Sequence, residues 1–79
     1  MDDDQIFQLV RKNLCLVLPE VDPGSVRPDV AMADLGCNSL DRTEVVAMTM
    51  EDLDVDVPAM AFRDVGDIAG LVAVLRQYA

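Results

Sequence analysis

The stretch Asp34-Leu35-Gly36-Cys37-Asn38-Ser39-Leu40-Asp41-Arg42-Thr43-Glu44 gathers most of the reactive groups that this chain brings close together in sequence. Gly36 can take backbone angles that a side chain discourages, so it suits the end of a loop. Asn38 and Ser39 are both good helix N-caps, and Asp41, three residues after Asn38, puts a carboxylate at the positive end of a helix. Ser39 is therefore expected at or beside a helix N-terminus, its hydroxyl near solvent. Free backbone N–H groups and the helix dipole make such a place hospitable to a phosphate ester. The sequence has no histidine, which excludes Ser–His and Cys–His nucleophilic devices within the chain. Without a base of its own, Ser39 is a poor catalyst and a good acceptor for a group that another enzyme attaches.

Arg42 has an unusual setting in the same stretch. A cation in the first turn opposes the helix dipole by roughly 0.3–1 kcal/mol. Its neighbours at three and four residues are Asn38, Ser39, Val45 and Val46, so no acid compensates along the helix. Three readings follow: a pair with a loop acid such as Asp34, a merely solvated arginine, or a head left for a ligand or partner. A phosphate on Ser39 is the nearest candidate ligand.

Other motifs carry less chemistry. Cys15 and Cys37 are far apart and fit no metal spacing, and Cys37 reads as a packing or loop residue because no basic group adjoins it to activate a thiol. Asp52, Asp54 and Asp56 alternate as in a calcium loop. With Asp52 as position 1, however, Val57 stands where glycine is needed and Arg63 where a bidentate glutamate is needed. Those acids are better read as a solvated turn with Val55 and Val57 facing inward.

The elements that position Ser39 follow from periodicity. Residues 4–18 form an amphipathic helix with Ile6, Phe7, Val10, Leu14, Val17 and Leu18 on one face and Gln8, Arg11, Lys12 and Cys15 opposite. Asp3 and Asp4 favour its N-terminus, and Pro19 ends it. Residues 19–38 make a long loop punctuated by Pro19, Pro23-Gly24 and Pro28, in which Val21, Val26, Val30, Met32 and Leu35 are candidate anchors. Ser25 is an ordinary turn or cap residue. A second helix spans Ser39–Leu53, with Val46, Thr49, Met50 and Leu53 toward the core. The Thr49 hydroxyl is expected to bond the Val45 carbonyl and so be buried at little cost. Leu40, Glu44, Ala47, Met48 and Glu51 share the opposite face, which mixes acid with an exposed methionine and suits a surface meeting several partners. A solvated helix face with a stray methionine is the plainer alternative. After Pro58, Ala59–Phe62 is long enough for one turn, with Met60 or Phe62 plugging the core. Asp64 is expected to cap a last helix from Val65 to about Gln77, supported by Asp67, with Ile68, Leu71, Val72 and Leu75 as its apolar stripe. The fold class is all-α: a small bundle of three main helices plus one short one, in a single domain over residues 1–79.

Composition bounds the function. A chain of 79 residues buries roughly 60% of its unfolded surface, which leaves little room for an enclosed active site. Its apolar content of 52% suits a folded domain, and its net charge of −9 argues against nucleic acid and anionic membranes. It suits attraction to basic patches on other proteins. No apolar run reaches membrane-spanning length, and Met1-Asp2-Asp3-Asp4 is the opposite of a basic signal peptide. A cytoplasmic location is expected.

The segment Asp34-Leu-Gly-Cys-Asn-Ser39-Leu40 resembles the Asp-Ser-Leu motif of acyl carrier proteins, and the likeness continues through Glu44, Val45, Val46, Val57-Pro58 and Val65-Gly66-Asp67-Ile68. Within that family, Asn38-Ser39-x-Asp41-Arg42 followed by Met48-Thr49-Met50-Glu51 is similar to the free-standing donor carriers of polyketide β-branching (HMG-synthase) cassettes. The resemblance implies an acyl-carrier-protein-like bundle, non-catalytic and monomeric. It implies 4′-phosphopantetheine, taken from coenzyme A, on Ser39, with Asn38 and Arg42 beside it. Asn38 departs from the usual aspartate and removes one charge that would repel the phosphate. The implied cargo is a short acyl group, acetyl from malonyl or else propionyl, given to an HMG-CoA-synthase-like enzyme. Further implied partners are a phosphopantetheinyl transferase and an acyltransferase or decarboxylase that loads the arm. Leu40, Glu44, Ala47, Met48 and Glu51 become the partner-facing residues. Alternatives are a chain-extending polyketide or fatty-acid carrier, a peptidyl carrier, or, from another class, an unmodified helical interaction module.

Overall fold

The computed structural model describes residues 2–79. Among them lie three α-helices, α1 (Asp3–Val17), α2 (Ser39–Leu53) and α3 (Ile68–Tyr78), and three single 3₁₀ turns at Pro23–Ser25, Met32–Leu35 and Ala59–Phe62. The three-helix bundle with a short helix after Pro58 is as the sequence implies, and the other two turns lie in the long loop. Helix α1 is the hub: α2 and α3 each pack along it and meet one another far less.

The apolar stripe of α1 buries Ile6, Phe7, Val10 and Leu14, with Val17 and Leu18 packed at the edge. Asp2 caps the helix by accepting from the Gln5 N–H at 2.9 Å, and the Gln5 side chain reciprocates. One residue departs from its expected face. Cys15, placed on the polar side by periodicity, is half-buried against the core with its thiol toward the Val21 carbonyl. Asn13 is buried outright at 1% exposure. Its amide donates to Thr49 Oγ1 and to Asp52 Oδ2, each at 3.0 Å, and so ties α1 to α2. Thr49 in turn donates to the Val45 carbonyl at 2.8 Å, as expected. The fully buried residues of α2 are Val45 and Thr49, while Val46, Met50 and Leu53 pack only partly. The core-facing line of α2 thus runs through Val45 rather than Val46, because α1 meets it along the Val45–Thr49–Asp52 edge.

The long loop is fixed by its apolar anchors and by its backbone. Val26 is fully buried, and Val21, Met32 and Leu35 pack on the core. Arg11 lies over the Phe7 ring at 4.8 Å and donates to the Val26 carbonyl at 3.0 Å. Farther on, the carbonyls of Val30 and Pro28 accept from the Ile68 and Ala69 N–H groups at 3.0 and 2.8 Å. The loop therefore supplies acceptors for the first turn of α3.

The start of α3 corrects the sequence reading. Asp67, not Asp64, is the N-cap, accepting from the Gly70 N–H at 2.8 Å, and the helix begins at Ile68. Asp64 falls in the turn that trails Ala59–Phe62, where the Val65 N–H bonds the Phe62 carbonyl, and so cannot start the helix. In that turn Phe62 packs inward, whereas Met60 is 72% exposed. After α2, Asp54 takes a left-handed conformation (φ 55°) that ends the helix and turns Val57 into the core.

The link between α1 and α2 yields a prediction. Hydrogen bonds from Asn13 and then from Lys12 hold the Asp52 carboxyl below its ordinary range. A depressed folded-state value contributes stability above the unfolded value, about pH 4, and loses it as pH falls through the folded one. Asp52→Asn should therefore lower the urea midpoint at neutral pH and converge on wild type in acid. Asn13→Leu strips an acceptor's partner at each end and should cost about 1–3 kcal/mol in the same measurement.

Candidate functional site

The approach to Ser39 is built by the turn at Met32–Leu35. Gly36 closes it with φ 94°, and the N–H groups of Gly36 and Cys37 bond back to Ala33 and Met32. No Cβ clash forbids a side chain at Gly36; the left-handed backbone itself is what favours glycine. Cys37 then drops into the core at 6% exposure. Burial, followed by the nearby Asp41 carboxylate, pushes its thiol above the ordinary value despite the counteracting Arg42. A thiol so placed is a packing residue rather than a nucleophile.

Asn38 is the N-cap of α2. Its Oδ1 accepts from the Asp41 N–H at 2.8 Å, and Asp41 Oδ2 accepts from the Asn38 N–H at 3.2 Å. This reciprocal cap turns the Asp41 carboxylate toward the backbone of Asn38 and engages it there. Ser39 is the first residue of α2 and is exposed. Among the described residues, neither its backbone N–H nor that of Leu40 has a protein acceptor. Its hydroxyl oxygen accepts from Arg42 Nη2 at 3.4 Å, and its carbonyl accepts from Thr43 Oγ1 at 2.9 Å. Arg42 makes no ion pair with Asp34 or any other described acid.

Ser39, Arg42 and Thr43 form the exposed rim of a groove of about 430 Å³. The groove follows from the bundle: α2 and α3 both lean on α1 and leave a trough between them. Its deeper lining is apolar, with Met50, Val57, Phe62 and Leu71 supplied by four separate segments. Thr43 and this lining escaped the sequence reading. Thr43 had a legible signal, a hydroxyl four residues after Ser39 on the same helix side, whereas the lining is assembled only by tertiary packing.

The other nominated residues distribute along α2. Leu40 is 70% exposed, and Glu44, Ala47 and Glu51 are exposed as well. Met48 is half-buried, not exposed. The structure therefore brings Asn38, Ser39 and Arg42 into one cluster, places Ala47 in the lining of the same groove, and leaves Leu40, Glu44 and Glu51 outside that lining. No group of metal-binding side chains occurs among the described residues, and none of their helices is long and apolar enough to cross a membrane.

Comparison with known proteins fits this geometry. The family model described as "Phosphopantetheine attachment site" matches residues 5–75. The polyketide biosynthesis acyl-carrier-protein AcpK of Bacillus subtilis (strain 168) is 37% identical over 75 residues, covering 95% of this chain and 92% of the relative. A chain in the crystal structure of the curacin biosynthetic pathway HMG synthase in complex with its acetyl donor carrier protein superimposes with a TM-score of 0.85. The two are 26% identical, and the match covers 94% of this chain and 95% of that one. An exposed serine opening a helix, with free N–H donors and a guanidinium beside it, is a chemical fit for a covalent phosphodiester. The chain belongs to the phosphopantetheine-attachment family, the acyl carrier proteins, and its cofactor is 4′-phosphopantetheine.

Proposed function

We propose that Ser39 is the attachment point, that Asn38 and Arg42 flank the phosphate, and that the chain donates a short acyl group to an HMG-CoA-synthase-like enzyme during polyketide β-branching. The observation that carries the assignment is the Ser39 hydroxyl, exposed on the first residue of α2 at the rim of an apolar groove. Similarity to a polyketide carrier and to the donor carrier of the curacin pathway supports the donor role. When attached, the arm ends in a thiol that carries the acyl group as a thioester. The protein's own part is to place the arm, keep its phosphate among donors and present a recognisable helix face. It acts as a non-catalytic, monomeric carrier domain over residues 1–79 in the cytoplasm. A phosphopantetheinyl transferase supplies the arm, and an acyltransferase or decarboxylase supplies the cargo.

The face that partners read is Leu40, Glu44, Ala47, Met48 and Glu51. Glu44 and Glu51 are exposed and attract basic surfaces, which speeds encounter while each charge pair adds only about 0–1 kcal/mol. Leu40 offers the larger apolar area to a partner. Met48, already half-covered, has less to gain, on the order of 1 kcal/mol.

Intact mass before and after treatment with coenzyme A and a broad-specificity transferase tests the attachment. Wild type should gain one phosphopantetheine, and Ser39→Ala none, with helix content unchanged. An adduct at Ser25 instead would refute the assignment. The donor role is tested by acyl transfer. A branching-cassette synthase should take acetyl faster from this carrier than from a chain-extending one, and equal rates would favour the chain-extending reading. In the same assay Met48→Glu should weaken synthase binding, and Glu44→Lys should mainly slow association. Arg42→Ala should affect the modified protein more than the bare one. Loss of binding on Gln8→Arg, with Met48→Glu unaffected, would move the interface to another surface.

A further inference from the structure

Cations are scarce in this chain, and the structure accounts for four of the six. Lys12, Arg27 and Arg76 each have a carboxylate within 4.0 Å. Arg11 is spent on Phe7 and the Val26 carbonyl. Arg42 and Arg63 are left without an acid among the described residues. The one hydrogen bond that the Arg42 side chain makes is to Ser39 Oγ, at 3.4 Å, longer than an ordinary N–H···O bond. The neighbouring Asp41 carboxylate is engaged at the Asn38 N–H, so it does not neutralise the guanidinium by contact. A loosely held, exposed cation thus touches the one atom that must form a bond to phosphorus.

We propose that Arg42 is a catalytic residue that the carrier contributes to its own modification; this rests on Ser39 being the attachment point. In that reaction Ser39 Oγ forms a bond to the phosphorus that bears pantetheine in coenzyme A. The bond from that phosphorus to the bridging oxygen of the pyrophosphate breaks, and adenosine 3′,5′-bisphosphate leaves with the electron pair. The hydroxyl proton passes to a base of the transferase, since this chain has no histidine and its nearest carboxylate, Asp41, is engaged at the Asn38 N–H. Arg42 exchanges its weak contact with neutral Oγ for charge-assisted bonds to the non-bridging phosphate oxygens. That exchange frees an Oγ lone pair for attack and places positive charge where phosphoryl transfer spreads negative charge. The free N–H groups of Ser39 and Leu40 face the same developing anion. Asn38, neutral where an aspartate would repel the incoming phosphate, is consistent with the same demand.

The test measures mass gain and adenosine bisphosphate release for wild type, Arg42→Gln, Arg42→Lys and Arg63→Gln, using coenzyme A and one broad-specificity transferase. At saturating carrier, Arg42→Gln should lower kcat about tenfold or more, and Arg42→Lys should recover part of the loss. Arg63→Gln should match wild type, and far-UV circular dichroism should be the same for all four. An unchanged kcat for Arg42→Gln overturns the proposal. So does a rise in the carrier KM alone, which would make Arg42 a docking residue, and so does an equal loss with Arg63→Gln, which would be a net-charge effect. Absence of any adduct at Ser39 in wild type would instead remove the attachment assignment on which the proposal stands.

Discussion

The hydrogen bond from the buried Asn13 amide to Thr49 Oγ1 is the contact on which the presentation of Ser39 depends. Helix α2 brings little apolar surface to the core, Val45 being its one fully buried hydrophobic residue. Apolar contacts are non-directional and would tolerate some rotation of a helix so lightly held. A buried hydrogen bond does not, because a misaligned polar group in the interior loses its partner and not its desolvation cost. Asn13 bonds Thr49 and Asp52, which are nearly one turn apart, and so fixes both the rotation and the height of α2 against α1. A slip of one residue would turn Ser39 by about 100° and carry its hydroxyl off the groove rim. The light packing has a positive side: most of the helix surface is left for the groove and for partners, with Ala47 where the two meet.

Charge is organised around the same helix. The chain is strongly acidic overall, yet the immediate surroundings of Ser39 are arranged the other way, with a neutral cap, unpaired N–H donors and an uncommitted guanidinium. Asp41, the nearest acid in sequence, has its carboxylate engaged at the cap. Farther along the helix the acid returns with Glu44 and Glu51, both in solvent. One end of α2 therefore favours an anion and its later turns favour basic protein surfaces, and the two preferences do not compete because they occupy different turns.

Much of this was legible in the sequence, for identifiable reasons. Local capping chemistry decides α2, so its bounds at Ser39 and Leu53 and the Thr49–Val45 bond could be foreseen. The main stripe of α1 obeys simple periodicity. Asn13 was not legible, since an asparagine between apolar positions is ordinarily a surface residue and becomes a core residue only once Thr49 and Asp52 are known to lie opposite it. The choice between Asp64 and Asp67 as the cap of α3 depends on the turn at Phe62–Val65 and also on remote partners, the carbonyls of Pro28 and Val30, which no local pattern contains. Met48 is half-buried on a face whose other named members are exposed, a difference the helical pattern does not carry. The cluster Asn38–Ser39–Arg42 is contiguous and could be read from the chain, whereas the groove draws on distant segments and emerges only in the folded protein.

The seating of the loop carbonyls on the first turn of α3 bears on how the chain folds. Ile68 and Ala69 find their acceptors far back in the sequence, so the start of α3 is completed only when the loop has arrived. A small helical bundle would ordinarily fold through local contacts alone. Here the two bonds that complete the first turn of the last helix require closure of a long stretch of chain, and that stretch includes all of α2. The N-terminus of α3, the loop and the helix that bears Ser39 are thereby joined into one cooperative unit, and a chain interrupted before Asp67 would lack the partner that holds the approach to α2 in place.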